Sequence, residues 1–398
     1  MSTVPTRSRP AEPRLISLDA YRGFVMICLA ANGFGLAATA KNFPDSPFWK
    51  AVGYQFEHVP WTGCAFWDLI QPSFMFMVGV SLPYSYAKRD LAGDSYASML
   101  SHAIVRAIVL VLLGIGLSSN WDKHTNFTFM NVLTQIGLGY VFLFLLWNRP
   151  VWLQATVAAV ILAGYWAWFA MWPLPLSDLD WSRYAMAEKW DYLSGFQAHW
   201  QIHTNPAAEF DRWFLNLFPR DKEFVFNKGG YQTLNFIPSL VTMLFGLMTG
   251  SYLREARSRT EALGWLVGCG LLLLVAGWAW HHFGGCPLVK RIWTPSWTLF
   301  STGWTLLLLS AFYGVIDVLG WRAWSFPLVV AGMNSILLYL MGQLLRGWTR
   351  DTLLRHFGDR WPNVFGSQYE PLVTACAVLA VFWLTVYWLH RQRLYVRI

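Results

Sequence analysis

Two polar side chains, Asn32 and His58, stand where the surrounding sequence is almost entirely apolar. Asn32 lies inside the first long hydrophobic run, and His58 lies on the short loop before the second run, which opens with Asp68. Polar groups at membrane depth are costly because lipid offers them no hydrogen-bond partner. Several of them converging at one end of two adjacent runs indicate a functional site.

The chemistry that suits these residue types is acyl transfer. A neutral imidazole such as that of His58 accepts a proton near pH 7, and a carboxamide such as that of Asn32 donates to a developing oxyanion. Asp68 follows His58 by ten residues. It is open at this point whether Asp68 orients the histidine or only stabilises a helix N-terminus through the helix dipole.

The composition requires a membrane protein around this site. The chain has 398 residues, of which 55% are hydrophobic and only 13% charged, whereas soluble domains carry roughly 25% charged residues. A spanning helix needs about 20 mostly apolar residues. We therefore predict an all-α, polytopic protein with about ten transmembrane helices in one bundle. The predicted spans are 23–40, 66–86, 103–119, 130–147, 151–172, 234–252, 263–281, 296–317, 325–345 and 371–390.

The distribution of charge gives the predicted domains and orientation. Residues 1–22 form a basic tail, which we place in the cytoplasm together with the C-terminus because positive charge is denser in the connections on that side. Residues 23–398 form the membrane domain, with an extracytoplasmic cap at about 173–233, whose tryptophans belong to an interfacial belt or stack on a sugar. The net charge of +8 is spread along helix ends, so we expect no nucleic-acid partner.

A second candidate region precedes the first span, where Arg14 to Gly23 reads RLISLDAYRG. Asp19 and Arg22 are three residues apart and would be neighbours on a helix. They form either a juxtamembrane ion pair or part of a cytoplasmic phosphate site, since arginine presents a forked donor to phosphate oxygens. The five cysteines show no metal-ligand spacing, so we predict no metal site, and a disulfide between Cys64 and Cys286 is one open pairing.

These motifs together resemble the heparan-α-glucosaminide N-acetyltransferase family. The shared pattern runs in order along the chain, and it comprises RLISLDAYRG, an Asn in the first span, His-x-x-Trp-x-Gly-x-x-x-x-Asp from His58, FMFMVGVSL, NVLTQIGLGY from Asn131, FGLMTG from Phe245, WTPS from Trp293 and GMNS from Gly332. One departure is that the family's Gln-Arg in the fourth span is Thr134-Gln135 here.

The resemblance implies a membrane acyltransferase that uses cytoplasmic acetyl-CoA and acetylates an amino sugar or related glycan on the extracytoplasmic side. The family's catalytic pair matches His58 and Asn32, and we add Asp68 as the residue that orients His58 or the acceptor. For coenzyme A we predict contacts from four residues, Arg14, Asp19, Arg22 and Asn334. The expected location is the plasma membrane, or the inner membrane of a bacterium, and the sequence leaves a homodimer open.

Two other classes of function share the polar interior. A transporter for a sugar or lipid precursor needs neither a coenzyme A site nor an activated histidine, and an inactive structural subunit of an envelope complex would tolerate the loss of His58 altogether.

Overall fold

The computed structural model describes residues 15–174, 180–184, 190 and 192–396, and the described part of the chain is helical without a regular β-strand. The fifteen α-helices among these residues are α1 Ile16–Ala30, α2 Leu36–Ala40, α3 Pro47–Phe56, α4 Ile70–Leu91, α5 Tyr96–Ser119, α6 Val132–Leu146, α7 Val151–Ala170, α8 Pro206–Leu215, α9 Phe236–Glu255, α10 Arg259–His282, α11 Pro295–Tyr313, α12 Phe326–Met333, α13 Ser335–Leu344, α14 Arg346–Phe357 and α15 Glu370–Arg391.

The protein is a multi-pass, all-α membrane protein. Within the described residues, six helices are long and apolar enough to cross a membrane, or up to eight if each of two bent helix pairs counts as one span. The predicted number of about ten is not confirmed. Two of the predicted spans do not have the length and apolar composition of a membrane-crossing helix. α4 carries polar residues and prolines among its apolar ones, and α6 has only 15 residues.

Both bent pairs break beside one of the predicted site residues. The first span bends by 55° between α1 and α2, and the second bends by 70° between α12 and α13. Asn32 lies at the first break with a left-handed backbone (φ 50°), and Asn334 separates α12 from α13. Asparagine tolerates left-handed geometry better than most residues do, which suits it to the first break. Discontinuous helices inside a bundle are typical of sites that bind polar ligands.

Small residues allow the central helices to approach one another closely. A Cβ atom on Gly79 of α4 would overlap the carbonyl of Met243 in α9, and one on Gly332 of α12 would overlap the carbonyl of Asp19 in α1. Without a hydrophobic driving force between helices in lipid, such close backbone packing holds a bundle together. α4 therefore lies in the interior, where its polar face is shielded from lipid.

Described residues between α7 and α9, Trp200 among them, pack on the end of the bundle that carries His58, here called the His58 end. The indole of Trp61, on the His58 loop, donates to the carbonyl of Trp200 at 3.1 Å. The Trp200 ring is fully buried and stacks on Phe169 with ring centroids 6.4 Å apart. For Trp200 at least, neither of the two roles predicted for the tryptophans applies, because this ring packs against protein. Cys64 and Cys286 are free thiols, so the disulfide considered from the sequence is not formed.

Candidate active site

His58 and Asp68 form a direct side-chain pair. The Nδ1 atom of His58 lies 2.7 Å from Oδ1 of Asp68. The His58 side chain is 37% exposed, whereas that of Asp68 is only 1% exposed. One edge of the imidazole is therefore held by a buried carboxylate while the ring stays accessible, which is the arrangement in which a carboxylate orients a general base.

Backbone groups close to Asp68 hold its carboxylate in place independently of His58. Asp68 lies in a 3₁₀ turn, Phe66–Leu69, that leads into α4. Its Oδ2 atom accepts hydrogen bonds from the backbone N–H groups of Ala65 at 3.1 Å and Val59 at 3.3 Å. The carboxylate thus contacts both the backbone that leads into α4 and the imidazole of His58.

The third member of the site, Lys290, was not anticipated. Its ammonium lies 3.3 Å from Asp68 Oδ1 and 3.2 Å from His58 Nδ1, and the residue is 3% exposed. An isolated antiparallel bridge between Thr62 and Val289 joins the His58 loop to the loop between α10 and α11. This contact brings Lys290 next to Asp68, although the two residues are 222 positions apart in the sequence. A buried ammonium is tolerated only when it is paired, and Asp68 supplies that pair.

The geometry determines which nitrogen of His58 carries the proton. A carboxylate oxygen 2.7 Å from Nδ1 requires the proton on Nδ1, which leaves the lone pair on Nε2. Burial lowers the pKa of His58, and the charges of Lys290 and Arg291 act in the same direction against the opposing effect of Asp68. Burial alone would raise the pKa of Asp68, but the bond from His58 and the charge of Lys290 outweigh it and hold that pKa below its usual range. The pair is thus a neutral imidazole on an ionised carboxylate.

Asn32 lies in the same neighbourhood as His58 but not in the same hydrogen-bonded cluster. Its side chain is exposed, at the turn that ends α1. A Cβ atom on the adjacent Gly33 would come within 3.5 Å of the Trp67 ring, whose centroid lies 6.4 Å from that of His58. The guanidinium of Arg346 donates to the carbonyl of Leu29 at 2.9 Å and caps this turn. A substrate would have to bridge Asn32 and His58.

A basic cavity of about 730 Å³ opens toward the opposite end of the bundle, which we call the Lys88 end. Its walls come from α1, α4, α5, α6 and the break between α12 and α13, and the C-terminal residues Tyr395 and Val396 also contribute. The basic side chains that line it are Arg22, Lys88, Arg89, His102 and Arg106. Such a concentration of cations in one partly enclosed space is suited to a polyanionic ligand.

Arg106 of α5 is one of the cations in the wall of this cavity. Its guanidinium lies over the Tyr140 ring, 4.7 Å from the centroid, and its Nε atom is buried with no hydrogen-bond partner in the described protein. Buried donors of this kind are normally satisfied. The sequence reasoning missed Arg106 because it sits alone inside an apolar span, α5.

The residues predicted to contact coenzyme A fall into three groups. Arg22 lines the cavity, pairs with Asp19 at 3.5 Å and also donates to Ser81 on α4. Asn334 does not line it: its carboxamide holds the C-terminal segment, donating to Leu394 O at 3.2 Å and accepting from Val396 N–H at 3.0 Å. Arg14 lies outside the described residues.

Comparison with known proteins agrees with the motif resemblance. No family model matches the chain. Human heparan-alpha-glucosaminide N-acetyltransferase is 23% identical to it, over 97% of this chain and 60% of the human protein. The mouse protein of the same name is also 23% identical, over 99% of this chain and 62% of its own length. The chain thus spans about 60% of the length of these relatives, and the predicted relationship is confirmed as a distant one.

Proposed function

We propose that this protein is a membrane-embedded acetyltransferase that moves an acetyl group from acetyl-CoA to an amino sugar or related glycan. The observation that carries the proposal is the His58–Asp68 pair, with its exposed imidazole and its 2.7 Å Nδ1–Oδ1 contact, in a chain that also holds a basic cavity at the other end of the bundle. The distant relatives, which are named N-acetyltransferases, support the same reaction.

The donor would bind in the basic cavity. Acetyl-CoA is long and carries its phosphates at one end, so it needs a cationic site connected to a narrower path. Arg22, Lys88, Arg89 and Arg106 offer the cations, and the cavity volume of about 730 Å³ suits a ligand of this class. Phosphate oxygens would satisfy the buried Nε of Arg106.

The acyl arm would follow the cavity-lining face of α4 toward His58. Ser81, Val78 and Phe74 line the cavity at successive turns of that helix. The next position on this face is Gln71, whose amide donates to Gln135 of α6 at 3.3 Å, one turn from Asp68. This face therefore offers a route from the basic cavity to the His58–Asp68 pair.

In the proposed reaction, the Nε2 atom of His58 removes a proton from the acceptor amine as its nitrogen attacks the thioester carbon. A carbon–nitrogen bond forms, the carbon–sulfur bond breaks, and the proton passes to the departing thiolate of coenzyme A. The carboxamide of Asn32 would donate to the oxyanion of the tetrahedral intermediate. The buried Asp68 carboxylate would stabilise the transient imidazolium.

This function implies an orientation. Acetyl-CoA is cytoplasmic, so the Lys88 end would face the cytoplasm and the His58 end the opposite side of the plasma membrane. Arg22 of α1 and the C-terminal residues Tyr395 and Val396 line the same cavity, which supports termini on one side. The dense positive charge at this end supports a cytoplasmic placement.

The test is acetyl transfer by the purified full-length protein, with acetyl-CoA as donor and glucosamine as acceptor, read as free coenzyme A and acetylated product. His58→Ala should lower the rate by roughly 100- to 10,000-fold, as expected for loss of a general base, and should leave acetyl-CoA affinity unchanged. His356→Ala, at an exposed position of α14, is the matched control. A His58→Ala protein with the wild-type rate would remove His58 from the mechanism. A wild-type protein that neither binds acetyl-CoA nor transfers its acetyl group would favour the transporter.

A further inference from the structure

We infer that Lys290 is a positioning residue that acts on His58 by opposing protonation of its imidazole and so helps to keep it available as a base. Its role in turnover rests on the proposed function, whereas its effect on His58 does not. The contacts that carry the inference are those of the ammonium with Asp68 Oδ1 at 3.3 Å and with His58 Nδ1 at 3.2 Å.

Of these two contacts of the ammonium, the one with Asp68 is attractive and the one with a protonated His58 would be repulsive. The ammonium attracts the Asp68 carboxylate, to which it donates. It cannot donate to Nδ1 of His58, because that nitrogen already carries the proton shared with Asp68. At 3.2 Å it therefore opposes a second proton on the imidazole. Because Lys290 is 3% exposed and Asp68 1% exposed, water and salt screen this repulsion poorly.

The charged groups around His58 come from three segments. Asp68, from the 3₁₀ turn before α4, favours the imidazolium. Lys290 and Arg291, both from the loop between α10 and α11, oppose it. Arg291 is tied to the backbone by bonds to Gly229 O at 2.7 Å and Val59 O at 3.2 Å. The nearest acidic neighbour in sequence, Glu57, pairs with Lys41 at 2.7 Å.

Lys290 thus offsets part of the effect of Asp68. A buried carboxylate alone would orient His58 but would also stabilise the imidazolium. His58 would then be protonated before the acceptor binds, and it would be unable to act as a base. With the ammonium present, Asp68 keeps its orienting bond while His58 releases its proton more readily.

The experiment measures His58 directly rather than through turnover. Diethylpyrocarbonate modifies only the unprotonated imidazole, so its rate at His58, followed by mass spectrometry of the peptide against pH, gives the midpoint of protonation. Lys290→Gln retains a donor to Asp68 but removes the charge, and Lys290→Arg retains the charge. Lys222→Met, at an exposed position of the segment before α9, is the control.

We expect the His58 midpoint to rise by about 1 pH unit in Lys290→Gln, so that the modification rate well below the midpoint falls about 10-fold. Lys290→Arg and Lys222→Met should leave the midpoint unchanged. In the acetyl transfer assay the acidic limb of the pH–rate profile should move by the same amount. If Lys290→Gln does not fold, Lys290→Met removes the same charge without a buried polar group.

A neutral Lys290 variant that is folded and keeps the wild-type midpoint would overturn the inference, and so would a Lys290→Arg midpoint that matches that of Lys290→Gln. A shifted midpoint in a protein without acetyl transfer would uphold the role of Lys290 and contradict only the proposed function.

Discussion

Replacing Asp68 by Asn tests the central pair most directly, because the substitution preserves shape and removes one acceptor. The carboxylate serves four donors: His58 and Lys290 on Oδ1, and the backbone N–H groups of Val59 and Ala65 on Oδ2. If the new amide nitrogen faces His58, the ring must accept at Nδ1, which puts its proton on Nε2 and removes the base. If it faces the backbone, two donors oppose it.

Both orientations predict a large loss of rate and a measurable loss of stability. In the first orientation His58 loses the tautomer that a general base requires, and in the second the transient imidazolium loses the negative charge that stabilises it. In either case the rate should fall roughly 100- to 10,000-fold. Removing one partner of a buried ion pair typically costs about 3–5 kcal/mol, and Lys290 is left as the uncompensated charge. Acetyl-CoA affinity should not change, since Asp68 does not line the basic cavity.

The assay combines the transfer rate with the denaturation of purified protein, and Asp351→Asn is its control. Asp351 forms an exposed pair with Arg350 at 3.0 Å, and such surface pairs contribute about 0–1 kcal/mol. A folded Asp68→Asn protein that keeps the wild-type rate would refute the assignment of Asp68 as the residue that orients His58. A loss of stability no larger than that of Asp351→Asn would refute the buried pairing with Lys290.

Three further predictions address the remaining features. Burial raises the pKa of Asp211 to about 7, so its contribution to stability is complete below the unfolded value near 4 and is lost as the pH rises through about 7. Asp211→Asn should therefore match the wild type at about pH 3, and at about pH 9 its free energy of unfolding should exceed that of the wild type by on the order of 2–4 kcal/mol, measured by denaturation. Arg106→Met should weaken acetyl-CoA binding in calorimetry about 10- to 100-fold, the loss of one charge-assisted bond, while Arg355→Met should not; equal affinities would exclude Arg106 from the site. In intact cells, a membrane-impermeant thiol reagent should label Ser182→Cys and not Arg257→Cys, in a background without native cysteines, and the opposite pattern would reverse the proposed orientation.

The sequence was sufficient for the parts of the molecule that short-range chemistry controls. Apolar runs indicated membrane helices because the requirement for internal hydrogen bonding leaves a spanning segment little alternative. His58 and Asp68 were expected to lie near each other because only nine residues separate them, and these residues form one compact loop and turn. The number of spans was predicted less well than their presence. α4 is buried among other helices, so it tolerates polar residues that a lipid-facing helix would exclude.

Neither Lys290 nor Arg106 was predicted from the sequence as a site residue, and the physical reasons differ. Lys290 reaches Asp68 only through packing between two loops, and nothing in the local pattern near Lys290 specifies that contact. Arg106 is a single cation in an apolar helix, a pattern that fits an interfacial anchor equally well. Its position over Tyr140 of α6 supplies a guanidinium beside the helix in which this chain lacks the family's Gln-Arg.

The dimensions of α4 explain how one protein could handle a donor and an acceptor on opposite sides of a membrane. Asp68, the partner of His58, lies just before the first residue of α4, and the cations Lys88 and Arg89 lie in the last turn of this helix. At 1.5 Å per residue, twenty residues separate these groups by about 30 Å, close to the thickness of the hydrocarbon core. The cavity extends up to Phe74, about 9 Å from Asp68 along the same axis. A donor anchored by its phosphates at Lys88 therefore needs a long, thin arm rather than a moving protein domain to bring its acyl carbon to His58. A shorter thioester that retains the acetyl group and lacks the nucleotide should accordingly lose affinity at the Lys88 end while still reaching the same base.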